Sequence, residues 1–307
     1  MLIHMDDIEW NPTDGPRALA SLEAVTGRLR EQGDARAVFC DIYLTITRRL
    51  VELIESPGAG GFLEPAWFSG LIGRFAAEVL IATRASLQGE PVSAPAWRFA
   101  CHYPAARVTR PYQNAILGVS AHINHDLGQV VYQDLVARGV HRASLGRYRH
   151  DFDRVNQVLW TMIPACLELV VKRYECASTR RMLAPPLARP VIRGVIMAVL
   201  KLWRARVWAE VVELMDAAGP EARRAVVARM ERRAGRIAQA VCAADVLWLW
   251  LRGETPPFRL SLAATAWPGV RSVSQRELAA EPARAPDAPE PLRASRAPAF
   301  AALEATA

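Results

Sequence analysis

The chain is predicted to be all-α, a single helical-bundle-like domain of about seven helices followed by a disordered C-terminal tail. Three observations carry this. In segment after segment, apolar residues recur at intervals of three and four, the period of a helix with one buried face. No convincing run alternates with period two in β-branched residues, as a half-buried strand would. Proline and glycine stand mostly where helices begin and end rather than inside them. At 307 residues the chain is long enough to bury a full core.

The domain is expected over residues 16–253, after an N-terminal extension (1–15) and before a Pro/Ala/Arg-rich tail (254–307). "RALASLEAVTGRLREQ" and "ARAVFCDIYLTITRRLVELIES" read as the first two helices, the second closed by the loop "PGAGG" at 57–61. The third starts at Glu64 and Pro65 and fades at "QGEPVSAPAW". Thr109 can cap a fourth, with Pro111 in its first turn and Gly139 at its end. A fifth runs from about Leu145 to Tyr174 and is expected to be kinked or broken near Pro164. "RPVIRGVIMAVLKLWRARVWAEVVELMDAAG" and "PEARRAVVARMERRAGRIAQAVCAADVLWLWLRG" complete the set. The tail is rich in Ala, Pro, Glu and Arg without a sustained apolar stripe.

Composition narrows the function classes. The formal charge of +7 is spread over several helices, which disfavours a nucleic-acid partner. Five cysteines, far apart and without a CxxC pair, suggest neither a disulfide framework nor a zinc knuckle. "MLIHMDDIEWNPTDG" lacks a basic segment followed by an apolar one, so a cytoplasmic location is expected. A bilayer span needs about 20 consecutive apolar residues, and the greasiest stretches, "VIRGVIMAVLKLW" and "VLWLWL", are interrupted or too short. Peripheral membrane contact stays open, because arginines flank tryptophans at Trp203, Arg204, Arg206 and Trp208.

The candidate site lies in "NAILGVSAHINHDLGQVVYQDL". At 100° per residue, His122, His125, Asp126, Gln129 and Gln133 share one stripe, while Ile116, Val119, Ile123, Leu127, Val130 and Val131 form an apolar flank. His122 and Asp126, one turn apart, can address a single ion or a single proton. The stripe could equally be a solvated helix face. On the next helix, Leu145, Tyr148, Phe152, Val155, Leu159 and Ile163 make a core stripe with His150 opposite it, and Arg149, Asp153 and Asn156 lie on a flank. Antiparallel packing would set that flank across a groove from the histidines, unless Asp153 is simply a surface partner of Arg149 or Arg154. Tyr43, Trp67, Phe75 and Trp97 are either ordinary core or the lining of a pocket for a small apolar, lipid-like molecule.

Two resemblances bear on these residues. "HINHDLG" resembles the doublet of HD-type phosphohydrolases, which implies His102, His125, Asp126 and Asp153 around one or two metal ions. The second covers roughly residues 36–210. "FCDIYLTITRRL", "FLEPAWFSGLIGRFAAEVLIA", "APAWRFA", "ILGVSAHINHDLGQVV" and "HDFDRVNQVL" occur in the order found in a bacterial family of unknown function, number 5995. That resemblance implies Gly118, Ala121, His122, Asp126 and Leu127, then Asp153 and Asn156, as its hallmark, with Arg204 and Trp208 added. His125 falls at a variable position of the pattern and is the weaker metal candidate.

Three functions follow as expectations. A divalent metal ion on His122, Asp126 and Asp153 could activate water against an ester or phosphoester, with Asn156 orienting it. Alternatively, His122 works as a metal-free acid or base, its tautomer set by Asp126 or Asp153, in an isomerase, lyase or cyclase. The third is a non-enzymatic scaffold or binding protein whose polar cluster fixes helix register. Arg204, Trp208, Trp97 and Tyr43 are the expected substrate contacts.

Overall fold

A computed structural model describes residues 7–92 and 94–251, with side chains described as far as Ala244. Helix α1 (Gly15–Glu31) begins where the Asp14 carboxylate accepts the Arg17 amide at 2.9 Å, satisfying one of the free N–H groups of a helix start. It packs on α2 (Ala37–Glu55) and α3 (Pro65–Leu87). The start of α3 is held from a distance in sequence: the fully buried Asp151 carboxylate accepts the amides of Leu63 and Glu64, each at 2.7 Å.

After α3 comes α4 (Pro95–Ala105), then α5 (Pro111–Ala121) and α6 (Gly128–Ala137). A single π-helical turn, His122–Leu127, joins α5 to α6 in one continuous rod. The chain returns as α7 (Leu145–Lys172), makes the short α8 (Ala177–Met182), and ends its described part with α9 (Ala188–Asp216) and α10 (Pro220–Leu251). Helix α2 lies against α1, α3, α5 and α7, while the π turn sits among α3, α5, α6 and α9. The compact unit ends at Ala244. The expected boundary at 253 and the tail fall outside the described residues.

The all-α expectation is met, with no strand among the described residues. Taking α5 to α6 as one rod, all seven expected helices are present, and α4 and α8 are additions. Helix α4 escaped notice because Pro104 lies inside it and a proline-rich approach masks its start. Pro164 neither breaks α7 nor leaves a bare acceptor. Its ring cannot donate to the Trp160 carbonyl one turn back, and Arg193 Nε of α9 donates there instead at 3.0 Å. Of the α7 core stripe, Leu145, Phe152, Val155, Leu159 and Ile163 are buried and Tyr148 partly so, while His150 is exposed as expected. Among the described residues, α3 is the one helix long and apolar enough to cross a membrane. Packed on α1, α4, α6 and the π turn, it is a core helix.

Candidate functional site

The π turn carries the site. A π turn inserts a residue into the helical repeat and shifts the phase of everything after it, and such turns recur at functional positions. Here every residue from Ala121 to Gly128 is buried, His122, Asn124, His125 and Asp126 included. The polar stripe is therefore no solvated face. Only its later members reach water: Gln129 is half-buried and Gln133 exposed. Small residues let the rod sit so deep. A methyl group built on Gly118 would lie 2.1 Å from Cγ of Phe39, and one on Gly128 would meet Met230 Cε at 2.7 Å. Neither glycine could gain a side chain without displacing its neighbour.

Asp126 is the hub. Its Oδ2 accepts the Trp97 indole N–H at 2.8 Å, and its Oδ1 lies 2.7 Å from His125 Nδ1. His122 Nδ1 stands 3.5 Å from Oδ2, an ionic distance but a poor hydrogen bond. The nearer histidine is thus His125, adjacent in sequence, rather than His122 one turn away. His125 Nε2 also approaches Glu231 Oε1 of α10 at 3.6 Å. Burial pulls the His125 pKa down, but hydrogen bonds and charge from Asp126 and Glu231 outweigh it and raise the value above the usual one. Burial likewise pushes the Asp126 carboxyl up, and the two histidines more than compensate, holding it below the ordinary carboxylate value. His125 and Asp126 form a buried hydrogen-bonded pair in which protonation of the imidazole is favoured over that of a free one.

His122 differs in kind. Burial lowers its pKa and prevails over Asp126, so at neutral pH the ring is uncharged. It stacks on Phe75 (centroids 3.3 Å apart, 10° between planes) and meets Tyr43 edge-on at 4.3 Å. Among the described residues, neither ring nitrogen has a hydrogen-bond partner. The imidazole forms part of the wall of an apolar cavity of about 670 Å³, bounded by α2, α3, α5, α7, α8, α9 and α10. Tyr43, Phe75 and Arg204 line the same cavity.

The remaining expected residues form a second group around α7 and α9. Asp153 is half-exposed and pairs with Arg149 at 2.5 Å, the surface arrangement that the sequence left open. Arg204 is buried, donating through Nε to Asn156 Oδ1 at 2.9 Å and through Nη2 to the Phe152 carbonyl, with its guanidinium 4.2 Å above the Phe152 ring. Burial lowers its pKa to about 10, Asp153 opposing the shift and Arg149 adding to it. Trp208 packs on Phe152 and under Arg149, away from the cavity lining. Of the four aromatics, Tyr43 and Phe75 line the cavity. Trp97 instead braces Asp126 from behind, and Trp67 packs on Tyr148.

Two expected ligand sets do not assemble. Among the described residues no group of three or more His, Cys, Asp or Glu side chains is disposed to hold a metal ion. Asp153 therefore does not join His122 and Asp126, nor do His102 and Asp153 join the His125–Asp126 doublet. Glu231 and Asp151 went unnoticed in the sequence, since each acts on a residue at least 87 positions away or on another helix.

A family of unknown function, DUF5995, matches residues 16–244. No curated protein and no solved structure shows significant similarity to the chain.

Proposed function

The chain belongs to DUF5995, and we propose that this member takes an apolar, lipid-like molecule into its interior cavity and acts on it by proton transfer through His122. One observation carries the reading: an uncharged imidazole, with neither nitrogen hydrogen-bonded among the described residues, set in the wall of a predominantly apolar cavity. A buried polar group left unbonded costs roughly 1–3 kcal/mol. A fold that keeps one at a ligand-sized cavity keeps it for contact with a ligand. At about 670 Å³ the cavity is within the usual size of small-molecule sites.

The ionised Asp126 beside Nδ1 favours the tautomer with hydrogen on that nitrogen. Nε2 then holds a free lone pair and serves as the base, and once it is protonated, Asp126 stabilises the imidazolium. General acid–base help of this kind contributes about 10²- to 10⁴-fold in rate. His125 and Trp97 hold the Asp126 carboxylate in position. Across the lining, the Arg204 guanidinium bonds only neutral acceptors among the described residues. An acyl chain ending in a carboxylate would add a directly bonded counter-charge while its tail fills the cavity. Asn156, bonded to Arg204 Nε, positions that cation.

Metal-dependent hydrolysis draws less support, because Asp153, the required third ligand, is engaged by Arg149. A cytoplasmic location suits five cysteines that form no disulfide. The test is titration with cis-parinaric acid, a fluorescent polyene fatty acid, alongside deuterium exchange into unsaturated and 3-oxo acyl acids in D2O. Saturable binding is expected, with exchange that His122→Gln abolishes while binding persists. A folded protein that takes up no fatty acid overturns the cavity reading. Exchange indifferent to His122→Gln, or no exchange at all, leaves a carrier in place of an enzyme.

A further inference from the structure

We propose that the face built by α8 and the first half of α9 docks on an anionic lipid bilayer, and that the cavity opens into that contact. Most large apolar side chains in this fold are buried, yet α9 exposes a row of them: Leu187 at its start is 78 % exposed, Val191 62 %, Val195 58 % and Leu202 70 %. At 100° per residue these positions, with Val199, fall within an arc of about 120°. The opposite side of the helix, Met197, Leu200 and Arg204, is buried. The first half of α9 is thus apolar on both sides, one packed inside the fold and the other turned to solvent.

Charge identifies the occupant. From residue 177 to 209 the chain carries no Asp or Glu, while Arg180, Arg181, Arg189, Lys201 and Arg206 are exposed. At the edge, Arg193 lies 3.7 Å above the ring of the half-exposed Trp160. A cationic rim around an apolar helix face, with an aromatic at the boundary, matches a negatively charged headgroup layer above hydrocarbon. The sequence suggested membrane contact through Trp203, Arg204, Arg206 and Trp208, at the C-terminal edge of this face. Of these, Arg204 and Trp208 are buried, Trp203 is half-buried and Arg206 is exposed, and most of the exposed apolar surface lies before them.

The cavity's position gives the face a purpose. Ile116, Met182, Val195 and Val199 are both exposed and part of the cavity lining, so they mark its mouth. Val195 and Val199 belong to the exposed row itself. A lipid-like molecule could pass from the bilayer into the cavity without crossing water. This access route rests on the cavity being the ligand site, whereas docking does not.

Co-sedimentation of the full chain with phosphatidylcholine vesicles, with and without phosphatidylglycerol, tests docking. Binding is expected only with the anionic lipid, and added salt should weaken it. Leu187, Val191 and Leu202 are exposed and line no part of the cavity. The triple variant Leu187→Glu/Val191→Glu/Leu202→Glu should therefore lose at least ~10-fold in vesicle partitioning. It should keep its helical circular dichroism and its fatty-acid binding in solution. Three results would overturn the proposal: wild type left in the supernatant, equal binding to neutral vesicles, or undiminished binding by the variant. A wild-type dimer that the triple substitution makes monomeric in sedimentation velocity would also refute it, assigning the face to a second copy. Docking without fatty-acid uptake would defeat the cavity reading alone.

Discussion

Gly118→Ala tests the packing that holds His122. The added methyl would sit 2.1 Å from Phe39 Cγ and 2.5 Å from its Cδ2. Ordinary carbon contact is about 3.6 Å, so the ring would have to retreat by roughly 1.5 Å. Three aromatic rings hem it in, and its open side is the cavity that it lines. Phe39 is buried, stacked on Tyr43 (centroids 5.9 Å), tilted against Trp97 (5.8 Å) and edge-on to His122 (5.9 Å). Overpacking of this kind costs about 1–3 kcal/mol, and alanine's better helix propensity returns up to about 1 kcal/mol. We expect a net loss of about 1–2 kcal/mol in urea unfolding, with weaker fatty-acid binding as Phe39 is driven toward the cavity it lines. Gly194→Ala is the internal control. It lies in α9, a methyl there meets nothing within 4 Å, and it should stabilise by about 0.5–1 kcal/mol. If Gly118→Ala stabilises as Gly194→Ala does, Phe39 does not press on the rod and the geometry around His122 is wrong.

Four further outcomes follow from the same geometry. Asp126→Asn breaks the buried His125–Asp126 pair and should cost about 3–5 kcal/mol, whereas Trp97→Phe removes one hydrogen bond to that carboxylate and should cost about 1.5–3 kcal/mol. Equal effects in chemical denaturation would argue against Asp126 as the hub. The two histidines should give opposite pH dependences. His125, its pKa raised on folding, contributes fully below about 6.5 and loses its contribution as pH rises through the raised value; His122, its pKa lowered, contributes fully above about 6.5 and loses it as pH falls. Urea midpoints against pH should therefore lose their alkaline decline in His125→Gln and part of their acid decline in His122→Gln. Asp151→Asn puts an amide NH2 against one of the two backbone N–H groups before α3 and should cost about 1–3 kcal/mol, read from thermal unfolding. Asp153→Ala breaks only a half-exposed pair, so stability should fall by less than about 1 kcal/mol and fatty-acid binding should survive. A Asp153→Ala protein that lost turnover while remaining folded would restore Asp153 to the site.

Much of the fold was legible because helices announce themselves locally. The α7 stripe could be read off its three- and four-residue spacing, and Pro65 and Pro111 mark starts that the structure uses. Residues at the hub were visible too, since His122, His125 and Asp126 lie within five positions. Their arrangement was not. Straight-helix phase pairs His122 with Asp126, but the π turn changes the phase, and Asp126 binds His125 at 2.7 Å while His122 stays at 3.5 Å. Spacing alone could not say whether Asp153 faces the histidines or Arg149, because that depends on the rotation of α7 about its own axis.

The sequence by itself determined that the chain is helical, where most helices start and stop, and which short segment concentrates imidazole and carboxylate. These are properties of local backbone preference and of a period shorter than one element. Only the tertiary structure decided that the polar stripe is buried, that the pKa of His122 is lowered while that of His125 is raised, and that an apolar cavity opens beside them. Burial, pKa and cavity shape are set by what other helices bring: Trp97 from α4, Tyr43 from α2, Phe75 from α3, Glu231 from α10. Desolvation depends on the whole surroundings of a group, and residues distant along the chain supply most of them here.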